Sequence, residues 1–121
     1  GYLFIPVGFV LIAASILAPE PISPLAGVHA LGAGAVGGMT LVIMVRSSLS
    51  HTGRRLRAGP AVTIMFVAVL GAVVSRILAT MIDSHADLFL HVAAFAWMTA
   101  FCGFAVVFAP ALMSPRRSVK A

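Results

Sequence analysis

The sequence predicts an all-α fold, a polytopic transmembrane bundle with four spanning helices, and two observations carry that prediction. First, the 121 residues are 61% hydrophobic and only 9% charged, and their mean hydropathy is +1.12. That composition is too apolar for the surface of a small soluble domain, so lipid is the expected solvent. Second, the apolar residues form four long runs with nearly all charges between them. Such runs are too long for barrel strands and lack strand alternation, which leaves helices.

Each apolar run is close to the roughly 20 residues that a helix needs to span a bilayer. The predicted helices cover about residues 2–18, 25–45, 60–82 and 88–112. Between the first two helices stand three prolines, which interrupt a helix: Pro19, Pro21 and Pro24. Pro60 suits the first turn of the third helix, where its missing N–H costs little. Asp87 is a candidate N-cap for the fourth helix, which Pro110 and Pro115 are expected to end.

The charges predict how the helices cross the membrane. All but one of the eight Lys and Arg residues flank the loop after the second helix or follow the fourth helix, at one end of the bundle. All three acids, Glu20, Asp83 and Asp87, lie at the other end. By the positive-inside rule, the basic loop and the C-terminus are expected in the cytoplasm. The net charge of +5 therefore indicates topology and contact with anionic lipid, and no nucleic-acid partner is predicted.

Arg76 is the most costly residue to place in lipid. It lies about six residues, or roughly 9–10 Å, inside the acidic end of the predicted third helix. An intramembrane Arg normally faces the bundle and pairs with a polar or anionic group. One hypothesis is a partner for a buried carboxylate, such as a haem propionate or a substrate anion. The other is a structural side chain that snorkels to the interface or binds backbone carbonyls.

Histidines provide the candidate ligands. His29 and His91 each lie about four residues, or ~6 Å, inside the acidic ends of their helices, so a shared site is geometrically possible. A neutral imidazole is the commonest metal ligand, and haem iron takes His axially. The alternative is two separate interfacial histidines. His85, in the Asp-Ser-His-Ala-Asp turn, either binds a metal with those acids or belongs to a solvated loop. His51 lies ~30 Å from His29 and cannot bind the same ion.

Small residues dominate the second helix, and other chemistry is sparse. Ala and Gly recur there at steps of four in one row and beside it in a second: Ala26, Ala30, Gly34 and Gly38, then Ala33 and Gly37. Such faces either pack closely on a neighbouring helix or leave room for a flat macrocycle beside His29. The scattered methionines are packing residues rather than copper ligands. With one cysteine, Cys102, no internal disulfide forms, and no phosphate loop, CxxC pair or Ser/His/Asp set is present.

A longer string of residues is more specific. The second helix and the loop after it read His29-Ala-Leu-Gly-Ala-Gly-Ala-Val-Gly-Gly-Met-Thr-Leu-Val-Ile-Met-Val-Arg46-Ser-Ser-Leu-Ser-His51-Thr-Gly-Arg54. This string resembles the NnrS family, where a His-Ala start, a Gly-rich helix with Gly-x-Met-x-Leu, an Arg and a His-Thr-Gly-Arg loop follow in this order. The family's usual Gly before the loop His is replaced here by a Ser, and the usual Pro after the loop is replaced by an Arg. Three further segments resemble the last two helices of the family: Arg76 in Arg-Ile-Leu, the segment around Trp97 and the Phe-Ala-Pro sequence near residue 110.

The resemblance implies a polytopic inner-membrane protein that contains haem and copper and is linked to nitric oxide and denitrification. The chain would be a C-terminal four-helix segment of a longer protein or larger complex. His29 and His51 match motif histidines, and Arg46 and Arg76 match motif arginines. Predicted cofactor-binding residues are His29, Arg76 and His91, and predicted metal ligands are His29, His51 and His85.

Three functions stay open at this point. The first is an NnrS-like haem or copper protein, with nitric oxide as its small apolar partner, and whether it is an enzyme, a sensor or a metal handler is not decided. The second is a cofactor-free accessory subunit that docks its small-residue faces on other transmembrane helices. The third is a segment that transports an anion or a small molecule past Arg76, which requires water at that side chain.

Overall fold

The computed structural model describes residues 1–18, 20, 22–51 and 59–113, and all regular structure within these ranges is helical. In chain order the elements are α1 (Phe4–Leu17), α2 (Pro24–His29), a π-helical segment (Ala30–Gly37), α3 (Gly38–His51), α4 (Pro60–Ala79), a short 3-10 turn (Asp83–His85) and α5 (Ala86–Met113). Because α2, the π segment and α3 follow without a break, they form one rod, named here the second span. The predicted all-α fold with four helices is confirmed.

Three of the helices are long and apolar enough to cross a bilayer: Pro24–Ser50, Pro60–Ala79 and Asp83–Pro110. The helix α1 has 14 residues, and at 1.5 Å per residue it is about 21 Å long, less than the ~30 Å hydrocarbon core. It ends where Ala18 leaves the helical conformation, one residue before a proline in the sequence. A residue before proline is disfavoured in the helical region, which accounts for the early end of α1.

Two helices begin at a proline. Pro24 is the first residue of α2, and the hydroxyl of Ser23 before it accepts a hydrogen bond from the Leu25 N–H (3.3 Å). Pro60 is the first residue of α4 and follows the extended Gly59, as the sequence predicts. In both places the missing N–H falls among the first four amides of a helix, which have no acceptor within the helix.

The apolar core lies among α3, α4 and α5. Its buried side chains are Leu41, Val45, Val62, Met65, Val69, Val73, Ala100 and Phe108. The helices α4 and α5 have the most extensive contact, and α4 also contacts all three parts of the second span. On the N-terminal side, α1 packs against α2 and the π segment. The second span therefore holds α1 and α4 in the same bundle.

Glycines permit the close approach of α1 and the second span. A Cβ on Gly27 would lie 2.7 Å from the carbonyl oxygen of Gly8 and 3.0 Å from the amide nitrogen of Ile12, so the two backbones are in contact. A Cβ on Gly34 would collide with the ring of Phe4. Two further members of the small-residue row are fully buried: Ala26 and Ala30. These contacts support the packing hypothesis for this row.

The end of α4 differs from the prediction in a way that changes the position of Arg76. The helix ends at Ala79 instead of Ile82, because the chain turns at Thr80, whose hydroxyl donates to the Ile77 carbonyl (2.7 Å). Arg76 therefore lies in the last turn of α4, not about six residues inside the helix. The last carbonyls of a helix are electronegative, so a cation is favourable at this position.

The second span and α5 extend further than predicted. The α3 helix continues past residue 45 to His51 and thus includes Arg46. The α5 helix begins at Ala86 and runs through Pro110 to Met113, so the prediction that Pro110 ends it was wrong. A proline so close to the end of a helix removes one backbone hydrogen bond from its last turns, which the helix tolerates. The position of Pro115 lies outside the described residues.

Candidate functional site

His29 and Arg76 line one cleft, although they are far apart in the sequence. His29 is the last residue of α2, and Arg76 is in the last turn of α4. The cleft has a volume of about 490 Å³ and lies between the second span, α4 and α5. The structure thus brings together the two residues that carry the sequence-based cofactor hypothesis.

The walls of this cleft, named here the inner cleft, consist mainly of small side chains. They come from the π segment, α4 and α5: Gly32, Ala33, Ala72, Ala93 and Ala94. A Cβ on Gly32 would have no heavy atom within 4 Å, so its face of the π segment is open. Ala72 lies one helical turn before Arg76 on the same face of α4. Small residues from three elements therefore keep the space beside His29 clear.

Trp97 and Met98 of α5 complete the inner cleft. The indole ring of Trp97 covers Gly37, where a Cβ would collide with it, and its centroid is 4.7 Å from that of Phe101. The sequence predicts packing roles for the tryptophan and the methionines, so their position in the site was missed. A tryptophan in mid-helix, away from the membrane interfaces, was the available signal.

The π segment separates two uses of the small residues in the second span. Gly34 and Gly37 receive the rings of Phe4 and Trp97, whereas Gly32 faces the open cleft. The hydrogen-bond register of a π helix is wider than that of an α helix, and π-helical turns occur frequently at functional sites. His29 lies immediately before this segment, so the change in register begins at the candidate ligand.

A larger cavity, named here the outer cavity, lies at the acidic end of the bundle. Its volume is about 1090 Å³, and its lining includes Glu20, Ser23, Thr80 and Asp83. His29 and Arg76 also line it. The two cavities therefore meet at these side chains.

The other predicted histidines lie elsewhere. His91 is exposed and does not line either cavity, and its Nδ1 donates to the Asp87 carbonyl (2.7 Å). This bond leaves Nε2 as the nitrogen able to bind a ligand. His85 is exposed, with Nδ1 2.8 Å from the Ser84 hydroxyl. Both residues stay predicted ligands. The backbone of His51 ends α3, and its side chain lies outside what the structure describes.

Across residues 1–18, 20, 22–51 and 59–113, no group of three or more His, Cys, Asp or Glu side chains is placed to hold a metal ion. Cys102, the sole cysteine, is exposed. The inner cleft offers one imidazole, one thioether and one guanidinium.

One comparison with known proteins identifies the family of this chain. The family model described as NnrS protein matches residues 1–116, which is nearly the whole chain. No curated protein and no solved structure matches the sequence. Because the match includes the helices that provide His29 and Arg76, it covers both sides of the inner cleft. The chain therefore belongs to the NnrS family.

Proposed function

We propose that this chain forms part of a haem site in a membrane protein linked to nitric oxide and denitrification, in the bacterial inner membrane. The observation that carries the proposal is the meeting of His29 and Arg76 in the inner cleft. An imidazole and a cation beside a small-walled apolar space are the groups that a haem needs. The orientation proposed for the membrane places the acidic end outside the cytoplasm.

The residues present fit a haem. His29 would provide a nitrogen ligand to the iron, and Arg76 would pair with a propionate, as guanidinium groups do with carboxylates. Gly32 and the cleft alanines would lie beside the flat ring, because none of their side chains fills that space. The haem would supply an iron centre able to bind a small diatomic molecule. The protein residues would hold it, exclude water from one side and balance its charge.

Copper fits the described residues less completely. Among the groups that copper prefers, the inner cleft contains the imidazole of His29 and the thioether of Met98. A copper site would need further ligands from residues outside the described ranges or from another part of the assembly. His51 and His85 stay predictions as metal ligands on that basis.

The accessory-subunit alternative also has an observation in its favour. Gly27, Gly34 and Gly37 all serve contacts between helices, which is how a purely structural segment would use small residues. The two proposals differ at Gly32, whose open face has no packing role in this chain. A cofactor-free protein would leave the open face of Gly32 unexplained.

The test is a reduced-minus-oxidised visible spectrum of the intact protein, purified from its membrane, for the wild type and His29→Ala. We expect a haem signal that weakens or shifts in His29→Ala, since a ligand of the iron is lost. Leu70→Ala is the control, because that side chain is exposed on α4 and lines neither cavity, and its spectrum should be unchanged. A folded wild type with neither haem nor copper would refute the cofactor proposal and favour the accessory subunit.

A second measurement isolates Arg76. Replacing Arg76 by Gln removes a positive charge next to the proposed propionate, so the oxidised haem becomes relatively more stable and the midpoint potential falls. The control is Arg46→Gln, which removes the same charge from the second span at ~25 Å from His29. Its midpoint potential should be close to that of the wild type. Equal potentials in all three proteins would contradict the placement of haem beside Arg76.

A further inference from the structure

The residues that join the two cavities have a feature that packing does not explain. Of the described residues, two line both cavities, and these are His29 and Arg76. The inner cleft is lined mainly by Ala and Gly residues, whereas the lining of the outer cavity includes Glu, Asp, Ser and Thr residues as well as apolar ones. The imidazole and the guanidinium therefore stand at the boundary between an apolar and a polar space. We call this boundary the neck.

The polar groups of the outer cavity require water. Arg76 lies in a membrane helix, and a guanidinium without a solvated or charged partner is costly there. Ser23 and Thr80 each make a local backbone hydrogen bond, and both residues also line the cavity. A volume of about 1090 Å³ has room for tens of waters at about 30 Å³ each. Water in this cavity would solvate Arg76 from the acidic end of the bundle.

The charges at the mouth determine which solutes enter. Glu20, just before α2, and Asp83, at the start of the 3-10 turn, are the acids of the outer cavity. Both are exposed. Carboxylates at a cavity mouth concentrate cations and repel anions, while neutral molecules pass without an electrostatic cost. The single positive charge lies deeper, at the neck.

We propose that the outer cavity is a water-filled entrance, open at the acidic end, that admits small neutral molecules and cations as far as a neck formed by His29 and Arg76. The inference goes beyond the haem proposal, because a solvent path to this pair exists with or without a cofactor. The test measures the access of a thiol reagent to introduced cysteines, whereas the haem proposal is tested by a visible spectrum. The failure of one proposal can therefore be distinguished from the failure of the other.

The experiment is thiol labelling of single-cysteine variants of the intact protein in sealed membranes, in a Cys102→Ala background. Membrane-impermeant methanethiosulfonates, one cationic and one anionic, are added to one side at a time. Thr80→Cys reports on the outer cavity and Gly32→Cys on the inner cleft, where a new side chain has open space. Ser84→Cys, in the exposed turn, identifies the accessible side. Leu70→Cys, on an exposed apolar face of α4, is the membrane control.

We expect Thr80→Cys to react from the same side as Ser84→Cys and about tenfold faster with the cationic reagent. Adding Glu20→Gln and Asp83→Asn should remove that preference. Leu70→Cys should not react from either side. A Thr80→Cys that does not react while Ser84→Cys does, or one that reacts no faster than Leu70→Cys, would overturn the entrance. Equal or anion-favouring rates would overturn the proposed selection of solutes.

The neck has its own test. Gly32→Cys should react slowly in the presence of Arg76 and about tenfold faster when Arg76→Ala opens the passage. Arg46→Ala, which removes the same charge from a residue that lines neither cavity, is the matched control and should leave the rate unchanged. A Gly32→Cys rate that is already as fast as that of Thr80→Cys, or that Arg76→Ala does not alter, would overturn the neck.

Discussion

Glycines of the second span show that residue type alone does not determine a role. Gly27 and Gly32 are five positions apart in one rod. An added Cβ on Gly27 meets the backbone of α1, whereas one on Gly32 meets nothing within 4 Å. The sequence predicts a small-residue face but cannot say which glycines are covered, because coverage depends on the partner helix. The contacts in the structure show that Gly27 is covered by α1 and that Gly32 is not covered.

Gly27→Ala should destabilise the protein and Gly32→Ala should not. At Gly27 the new methyl group lies 2.7 Å from a carbonyl oxygen, so α1 and α2 must separate, and overpacking of this kind costs about 1–3 kcal/mol. At Gly32 the methyl group has space, and the better helix propensity of Ala is worth up to about 1 kcal/mol. Thermal unfolding in detergent, followed by circular dichroism, measures both. A Gly27→Ala protein as stable as Gly32→Ala would contradict the backbone contact.

Leu41→Ala should be more costly than Ile43→Ala, although both remove large apolar side chains from α3. Leu41 is fully buried in the core, and Ile43 is 67% exposed. In lipid the loss is packing contact rather than the hydrophobic effect, so the expected cost of Leu41→Ala is at the lower end of the 2–5 kcal/mol seen in soluble cores. Denaturation in mixed micelles gives the two values. Equal values would mean that Ile43 is buried by another helix.

At the scale of elements, the sequence predicts the spans well and their ends less well. Apolar length and flanking proline locate α4, whose first residue is Pro60 as expected. Its end was missed because the turn at Thr80 contains neither glycine nor proline and depends on a side-chain hydrogen bond. The π segment was missed because its eight residues, six of them Ala or Gly, have the same apolar pattern in either helical register. The apolar pattern therefore predicts one helical rod but does not distinguish an α from a π register.

The π segment positions Trp97, and Gly37→Ala should displace that ring. A Cβ on Gly37 would collide with the indole, so Trp97 must leave its contact and become more exposed. Trp97 is the only tryptophan of this sequence, so the fluorescence emission of the purified chain reports on it. We expect a spectral shift for Gly37→Ala and none for the control Gly32→Ala. An unchanged spectrum in Gly37→Ala would contradict the contact between the π segment and α5.

At the scale of the whole molecule, the candidate site lies where helix ends meet. His29 ends α2, Arg76 is in the last turn of α4, and both face cavities toward the acidic end. The sequence predicts each residue as polar and intramembrane, but their meeting depends on the crossing of the second span and α4, which no local pattern encodes. His91 has a similar predicted depth and is nevertheless outside both cavities, because its face of α5 is exposed.

The charges predict the orientation of the whole chain, and a fusion experiment tests that prediction. Seven of the eight Lys and Arg residues, all except Arg76, flank the loop after the second span or follow the fourth helix in the sequence, and all three acids lie at the opposite end. The positive-inside rule therefore predicts that residue 121 is in the cytoplasm. A green fluorescent protein fused after residue 121 should fluoresce, because it folds in the cytoplasm. Alkaline phosphatase at the same place should be inactive, because it needs an oxidising compartment for its disulfides. The reverse pair of results would place the outer cavity on the cytoplasmic side, and water and cations would then reach Arg76 from inside the cell.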